Sequence, residues 1–245
     1  MLNKNNLYVR GIRIEEKIDE NSYLHDIACI RQLENEELEF NGPLTFLIGE
    51  NGTGKSTLIE AIAISSGFNP EGGTRNFAFS TSNTHSELCD RLLINKGNYF
   101  KDGFFLRAES FYNLASNADE LGSEILKHYG GISLHEQSHG ESFLAVVRNR
   151  MRGKGLYIFD EPEAALSPSR LMELICHMHD LIDDDSQFII ATHSPILMSY
   201  PGATVYELSE KGIHEVDYRN TEHYRINRDF IEKPEVMYRY LFEDK

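Results

Sequence analysis

One short segment of the sequence combines closely spaced glycines with a lysine and a hydroxyl residue. Residues 49–56 read G-E-N-G-T-G-K-S and fit the pattern G-x-x-x-x-G-K-[S/T]. The segment follows an apolar run, Leu44–Ile48, and precedes a helical pattern that begins at Lys55. In such a strand–loop–helix unit, glycines let backbone N–H groups surround phosphate oxygens, and the helix N-terminus adds a partial positive charge. The pattern therefore predicts a phosphate-binding loop.

The side chains of this loop have distinct predicted tasks. Lys55 reaches the β- and γ-phosphates of a nucleotide, Ser56 gives its hydroxyl to Mg²⁺, and Thr57 supports the α-phosphate. The alternative is a glycine turn between strand and helix with a surface lysine. The motifs described next favour the nucleotide, which would then be surrounded by the backbone of Gly49, Glu50, Asn51, Gly52, Thr53 and Gly54.

Two carboxylates follow a second apolar segment. Leu156–Phe159 predicts a buried strand, and Asp160 and Glu161 come directly after it. Ligands of open α/β sheets bind at the carboxyl ends of the strands, where these acids lie. Asp160 is predicted to hold Mg²⁺, directly or through water, and Glu161 is predicted to orient or deprotonate the attacking water. Two exposed acids at the start of a loop are the alternative, which the upstream phosphate loop disfavours.

The elements that position these residues alternate between strand and helix patterns, and this alternation predicts an α/β sheet. Short, mostly apolar segments predict strands at Leu7–Ile14, Ile27–Leu33, Leu44–Ile48, Phe104–Arg107, Leu156–Phe159, Phe188–Ala191 and Thr204–Leu208. Helical patterns lie at Lys55–Ser65, Asp119–His128, Ser142–Arg152 and Pro168–Ile182. The composition between Ser66 and Gly103 predicts an insertion of loops and short elements, and the chain after Val216 is expected to end in a docked helix.

The composition favours one compact body and disfavours some partners. The chain has 245 residues, 40% of them hydrophobic, which is enough for a sizeable core in a single domain. Its 39 Asp and Glu residues exceed its 24 Lys and Arg residues, so the formal net charge is −15. Such a charge opposes sequence-independent attachment to DNA or to an anionic membrane.

The cysteines and the start of the chain indicate the compartment. Cys29, Cys89 and Cys176 are widely spaced and form no C-x-x-C pair, which disfavours a disulfide framework or a zinc site and favours buried reduced thiols. Residues 1–10 lack the pattern of a secretory signal, and no run of 18 apolar residues occurs. We therefore expect a soluble, cytoplasmic protein without a membrane partner.

Four motifs in a fixed order resemble those of the ABC-type ATPases. They are the phosphate loop at residues 49–57, S-H-G-E-S at 138–142, D-E-P-E at 160–163 and A-T-H-S at 191–194. The phrases G-E-N-G-T-G-K-S-T, D-E-P-E-A-A-L-S-P and A-T-H-S-P look most like the soluble, non-transporter branch of AAA-type ATPases, related to chromosome-structure, recombination-repair and OLD-type ATPases. The motif-bearing stretch runs from Leu44 to Ser194, well over half of the chain.

The resemblance implies a P-loop α/β fold with a mixed, mostly parallel central sheet flanked by helices and a small helical and loop insertion. Residues 1–245 would form a single domain, with residues 66–150 as the insertion and signature-bearing subregion and residues 217–245 as a helical extension. Two chains would sandwich two ATP molecules. Each composite site would use the phosphate loop of one chain and the signature turn of the other, whose residues are Ser138, Gly140 and Glu141.

The resemblance also assigns residues that act on the γ-phosphate. His193 is the switch histidine that contacts the γ-phosphate and senses hydrolysis, which makes Lys55, Glu161 and His193 the catalytic set. The segment Ala164–Ser167 occupies the D-loop position, where the two protomers would meet. For the signature turn, a helix N-terminus with free N–H groups suits a phosphate, and an ordinary capped helix start is the alternative.

The chain departs from the transporter pattern at the Q-loop and lacks an obvious adenine-stacking residue. Apart from Gln137, which directly precedes the signature turn, no glutamine lies between the phosphate loop and that turn, which argues against a transporter subunit. Glu109 is a candidate substitute, and a surface acid is the alternative reading of it. The chain has no tryptophan, so stacking on adenine falls to Tyr8, Tyr23 or Arg13, among which the sequence does not choose.

The sequence thus predicts an ATPase that uses ATP and Mg²⁺ and works as an ATP-sandwich homodimer, either as a motor or as a switch. One alternative is a slow, ATP-dependent switch that regulates a toxin, a nuclease or a defence partner. Others are a DNA-repair ATPase and an ABC transporter ATP-binding subunit. The identity of a further protein partner is left open.

Overall fold

The computed structural model describes residues 2–74, 86–108, 111, 115–116, 129 and 131–242. In this part of the chain the strands are β1 (Val9–Ile14), β2 (Leu38–Glu39), β3 (Leu44–Gly49), β4 (Leu92–Lys96), β5 (Asp102–Arg107), β6 (Gly155–Asp160), β7 (Gln187–Ala191), β8 (Thr204–Ser209) and β9 (Gly212–Glu215). The α-helices are α1 (Ala28–Leu33), α2 (Lys55–Ser65), α3 (Leu88–Arg91), α4 (His139–Arg150), α5 (Pro168–Asp183), α6 (Pro195–Met198), α7 (Glu222–Glu232) and α8 (Pro234–Phe242).

Six of the strands form the central sheet, in the order β5-β6-β7-β3-β8-β9. Neighbouring strands are parallel except β8 and β9, which pair antiparallel. Parallel neighbours require crossover connections, and helices α2 and α5 are among the elements that supply them. The predicted class, a mixed and mostly parallel α/β sheet flanked by helices, is confirmed.

The side chains of the central strands alternate between two apolar cores. On β3, Leu47 belongs to the core that contains α2 and residues of β1, whereas Phe46 belongs to the core that contains α4 and α5. Ile189 and Ile190 on β7 divide between the same two cores. Because both faces of the sheet are covered, these strands are continuous apolar runs in the sequence. The rigid sheet therefore fixes the positions of its strand ends.

A second, antiparallel sheet has the order β2-β1-β4 and was not predicted. A buried glutamine links it to the central sheet. Gln187 Oε1 accepts hydrogen bonds from the backbone N–H groups of Tyr8 and Val9 at 2.9 and 3.0 Å, and its Nε2 donates to the Val9 carbonyl at 2.8 Å. All these polar groups are paired, as burial requires.

The strand predicted at Ile27–Leu33 is wrong, because helix α1 occupies Ala28–Leu33. Its buried residues are Cys29, Ile30 and Leu33, which is the spacing of one helix face rather than the alternation of a strand. The prediction failed because a short apolar run without flanking signals fits either element. The helix is functionally placed, since Cys29 packs beneath the phosphate loop.

The other predicted elements differ in extent or lie outside the described residues. The segment Ser66–Gly103 contains α3 and β4. Strand β4 is an edge strand of the second sheet, and it was not predicted because its second half is polar. Helix α4 begins at His139 rather than at Ser142. Helix α5 begins as predicted, with Ser167 accepting a hydrogen bond from the Arg170 N–H. The predicted helix Asp119–His128 lies outside the described residues.

The C-terminal region is helical, and two of the three cysteines are buried. Two helices, α7 and α8, follow the last strand, and their apolar side chains include several exposed ones. Cys29 and Cys89 are buried free thiols, as predicted, whereas Cys176 is a free thiol on the exposed side of α5, contrary to the prediction. Within the described residues, no helix combines the length and apolar character needed to cross a membrane.

Candidate functional site

The phosphate loop joins the end of β3 to the start of α2. Gly49, Gly52 and Gly54 have φ angles of +144°, +86° and +95°, a region that residues with a Cβ rarely adopt. A Cβ on Gly49 would also collide with the carbonyl oxygen of Leu208 on β8. The glycines are therefore required by this backbone path, which leaves the loop N–H groups near the N-terminus of α2 available to a ligand.

Helix α1 supports the loop from beneath. The Cys29 thiol donates a hydrogen bond to the Thr53 carbonyl at 3.2 Å, and the Thr53 hydroxyl donates to the Glu50 carbonyl at 2.8 Å. Burial raises the pKa of Cys29 to about 12, so the sulfur keeps its proton and remains a donor. A Cβ on Gly54 would approach Ile27 to 2.8 Å. These contacts hold the loop in shape.

Lys55 is the buried cation of the site. Only 4% of it is exposed, and its Nζ donates to the Glu50 carbonyl at 3.2 Å. Burial lowers the pKa of Lys55, while the nearby carboxylates of Glu161 and Asp160 act in the opposite direction. Because the buried ammonium group of Lys55 carries little water, little water must be removed when a phosphate binds beside it.

Ser56 and Asp160 form a set of oxygen ligands that fits Mg²⁺. The Ser56 hydroxyl lies 3.5 Å from Oδ1 of Asp160, which is 6% exposed at the end of β6. Hydroxyl and carboxylate oxygens that leave room for water and phosphate are the ligands Mg²⁺ prefers. Arg107 lies on the far side, with Nε 3.5 Å from Asp160 Oδ2 and Nη1 2.7 Å from Glu60. Arg107, which the sequence analysis missed, orients the aspartate.

Glu161 has a left-handed backbone conformation, with φ +50° and ψ +54°. Its N–H donates to the Ala191 carbonyl at 3.0 Å, which ties the end of β6 to the end of β7. Its carboxylate Oε1 lies 3.3 Å from Nε2 of His193. A non-glycine residue in this region is strained by about 1–3 kcal/mol and is held there by its surroundings. The consequence is a carboxylate that projects beside Lys55 and His193.

His193 is held by a buried carboxylate that the sequence analysis did not single out. Glu163 Oε1 accepts a hydrogen bond from the Thr192 hydroxyl at 2.7 Å and another from the His193 N–H. Burial raises the pKa of Glu163. Burial, together with the positive charge of Lys55, lowers the pKa of His193, so its ring is neutral at pH 7. Glu163 belonged to the quoted phrase D-E-P-E, but no local signal revealed its contact with the next strand.

The signature turn is the capped start of α4. The Ser138 N–H and hydroxyl both donate to Glu141 Oε2, at 3.2 and 2.7 Å, and Arg170 Nη2 lies 3.3 Å from Oε1 of Glu141. These hydrogen bonds lower the pKa of Glu141. A Cβ on Gly140 would meet the Ala165 carbonyl at 3.2 Å, so the turn packs on the D-loop segment. Within one chain, Ser138 and Glu141 serve as helix caps.

Part of the predicted phosphate loop and both predicted acids line one cavity of about 820 Å³, whereas His193 is not part of its lining. It is lined by Tyr23, Ile27, Asn51, Gly52, Gly54, Lys55, Ser56, Thr57, Ala108, His139, Asp160, Glu161, Ala164 and Ala165. The remaining loop residues, Gly49, Glu50 and Thr53, line a neighbouring cavity of about 690 Å³. The signature turn contributes His139 to the first cavity, whereas Ser138, Gly140 and Glu141 are not part of its lining.

Only one of the three adenine-stacking candidates is at this cavity. Tyr23 lines it. The Tyr8 hydroxyl instead donates to the Asp185 carbonyl at 2.7 Å, at the opposite end of the strands from the cavity. Arg13 lies on β1 and pairs with Glu15 at 4.0 Å. Of the three candidates for stacking on adenine, the structure therefore favours Tyr23. The proposed Q-loop substitute, Glu109, lies outside the described residues.

Two family models match the chain. The first, described as "AAA domain", covers residues 24–112, and the second, described as "AAA domain, putative AbiEii toxin, Type IV TA system", covers residues 133–199. The nucleoside import ATP-binding protein NupA of Lactococcus lactis subsp. cremoris (strain MG1363) is 27% identical over 182 residues. That alignment includes 62% of this chain and 33% of NupA, so the chain spans about a third of the length of this curated relative.

Solved structures share the fold. CbiO1 from Clostridium perfringens, part of the ABC transporter complex CbiONQ, is 16% identical, with 93% of this chain and 97% of that chain covered and a TM-score of 0.50. A nucleotide-free ATP-binding cassette from an ABC transporter is 17% identical, with coverage of 96% and 99% and a TM-score of 0.50. The chain thus has the P-loop α/β fold of these ATP-binding cassettes and two regions similar to AAA domains. The two family models span the phosphate loop and the region from residue 138 to residue 194.

Proposed function

We propose that the protein is an ABC-type ATPase, which binds ATP with Mg²⁺ in the 820 Å³ cavity and hydrolyses it to ADP and phosphate. The observation that carries the proposal is the meeting of five side chains from three different segments around the phosphate loop. These are Lys55, Ser56, Asp160, Glu161 and His193. A cation, a pair of oxygen ligands, a carboxylate base and a neutral imidazole together are the set that phosphoryl transfer to water requires.

Each residue has a step in this reaction. Water attacks the γ-phosphorus, the bond to the β–γ bridging oxygen breaks, and the water proton passes to Glu161 before it reaches the released phosphate. Lys55 and the loop N–H groups balance the negative charge that develops on the phosphate oxygens. His193 donates from Nε2 to the γ-phosphate. Ser56 and Asp160 would hold Mg²⁺, which would supply further positive charge against the phosphates.

We further propose that two copies close around two ATP molecules. The signature turn is formed in advance, because Glu141 already caps Ser138, and Ser138, Gly140 and Glu141 do not line the cavity of their own phosphate loop, which leaves them free to meet the nucleotide of the partner. In the closed dimer Ser138, Gly140 and Glu141 would then complete the site of the other copy. Ala164 and Ala165, which line the cavity, would lie at the contact between the copies.

A second candidate function is a slow switch, in which ATP occupancy controls a protein partner and turnover is a reset. The toxin–antitoxin description of the family model at residues 133–199 favours it over the DNA-repair alternative. The likeness to NupA instead favours a subunit of an import system. Turnover separates the first candidate from the switch, because a switch hydrolyses ATP slowly unless its partner is present.

Phosphate release with excess ATP tests the proposed activity. We expect ATP hydrolysis in Mg²⁺ and none when EDTA exceeds Mg²⁺, because Asp160 and Ser56 then face the phosphates without a cation. Single-turnover measurement on the same protein distinguishes a slow reset from no chemistry at all. Absence of hydrolysis in both regimes would remove the enzymatic proposal.

Tyr23 is expected to stack on the adenine. It is 58% exposed at the mouth of the cavity, and its hydroxyl donates to Ser86 at 3.0 Å, which fixes the ring. Tyr23→Ala should weaken ATP binding about tenfold, because stacking of a base on an aromatic ring contributes roughly 1–3 kcal/mol. Tyr23→Phe should keep most of the affinity, because it retains the ring and loses only the hydrogen bond to Ser86. Calorimetry with ATP and with tripolyphosphate checks this: equal losses for both ligands would contradict stacking.

A further inference from the structure

The C-terminal helices place a second histidine against the switch histidine. His223 is the second residue of α7, and its Nε2 lies 3.2 Å from Nδ1 of His193. The two rings meet edge to face, with centroids 4.8 Å apart and an interplanar angle of 78°. On its other side, His193 Nε2 lies 3.3 Å from Oε1 of Glu161. The His193 ring is therefore held between the carboxylate base and a side chain of α7.

With a neutral His193 ring, one arrangement of protons satisfies both contacts. The Glu161 carboxylate accepts hydrogen bonds and donates none, so His193 Nε2 carries the proton. The ring is neutral at pH 7, because burial and the charge of Lys55 lower the pKa of His193. Nδ1 is then an acceptor, and His223 Nε2–H is its donor. The tautomer of His193 is thus assigned from the hydrogen-bond partners of its two ring nitrogens.

The start of α7 holds His223 in place. Thr221 caps the helix, with its hydroxyl oxygen accepting from the Tyr224 N–H at 3.3 Å and donating to the Tyr218 carbonyl at 2.6 Å. Thr221 is 2% exposed, so the cap is anchored in the body of the protein. His223 Nε2 also lies 3.7 Å from Oε1 of Glu50 in the phosphate loop. The imidazole of His223 thus contacts two separate parts of the site.

We infer that His223 is a positioning residue for the switch histidine. By donating to Nδ1, it fixes the tautomer and the orientation of His193, so that Nε2–H points to Glu161 and to the γ-phosphate of the substrate. The inference rests on the proposed ATPase function. It also gives the C-terminal helices a role at the site, because a shift of α7 would remove the donor from His193.

Turnover by three variants tests the role of His223. We expect His223→Ala to lower kcat about tenfold, the effect of one lost hydrogen bond, with KM for ATP changed less than twofold. His223→Gln should recover most of kcat, since its side-chain N–H reaches the same acceptor. His214→Ala is the matched control, because His214 is an exposed histidine of β9 that bonds the Lys211 carbonyl. That variant should behave as the wild type.

Long-range ¹H–¹⁵N spectra of the histidine rings give a readout that does not depend on turnover. The nucleotide-free wild type should show His193 as the neutral Nε2–H form at pH 7. His223→Gln should retain this signature, whereas His223→Ala should shift the Nδ1 resonance. Unchanged His193 resonances in His223→Ala overturn the inference, and so does an equal loss of kcat in the Ala and Gln variants. A wild type without ATP hydrolysis overturns the proposed function instead, and the spectra still decide the contact.

Discussion

Replacing Glu161 by glutamine is expected to lower kcat for ATP hydrolysis by about 10²–10⁴, the usual contribution of a positioned general base. The amide keeps the size of the carboxylate but cannot take the proton of water. The left-handed backbone of Glu161 and its N–H bond to Ala191 do not depend on the side-chain charge, so the site should keep its shape. ATP affinity should therefore stay within about twofold of the wild type. Single-turnover and steady-state phosphate release measure the first quantity, and calorimetry measures the second.

The same variant tests the proposed dimer. Because hydrolysis is blocked while ATP remains bound, Glu161→Gln should accumulate as a dimer in Mg²⁺ and ATP and dissociate when the nucleotide is removed. Light scattering after gel filtration measures the mass of each state. Glu215→Gln, an exposed carboxylate of β9, is the matched control and should hydrolyse ATP as the wild type does. Undiminished hydrolysis by Glu161→Gln would refute the role given to this residue.

The backbone elements that depend on residues close together in the chain were predicted well. The phosphate loop is local, since its glycines, lysine and serine lie within eight positions, and helix α2 spans Lys55–Ser65 as the pattern predicted. The strand that carries Asp160 was predicted because a doubly covered strand is a continuous apolar run. In both cases the backbone conformation requires particular residue types, namely glycines in the loop and apolar residues in the strand. A short stretch of sequence is therefore enough to predict the element.

Contacts between residues far apart in the sequence were not predicted. Glu163 and His193 are 30 positions apart, and so are His193 and His223, yet each pair is in contact because strands and helices bring them together. Nothing in the local sequence of α7 marks His223 as part of a site. Arg107 is similar, since its contact with Asp160 depends on the pairing of β5 with β6. Such contacts depend on sheet order, which motif spacing does not encode.

Replacing Lys55 by methionine is expected to weaken ATP binding strongly and also to slow the chemical step. The ammonium group is buried and already partly stripped of water, so the phosphates gain a strong, poorly screened contact when they bind. Methionine keeps most of the apolar stem, which limits damage to the fold, but it supplies no charge. The affinity for ATP should fall about 100-fold, equivalent to about 2.7 kcal/mol, and kcat should fall as well because developing charge is no longer balanced.

The stabilisation that ATP gives against thermal unfolding measures this loss. The wild type and Glu161→Gln should both gain in melting temperature with Mg²⁺ and ATP, whereas Lys55→Met should gain little at concentrations that saturate the other two. Lys211→Met, an exposed lysine between β8 and β9, is the matched control and should respond as the wild type. Lys55→Arg should restore binding only in part, since a planar guanidinium group does not reproduce the geometry of a compact ammonium charge. If Lys55→Met kept the affinity of the wild type, the nucleotide would have to bind elsewhere than in this phosphate loop.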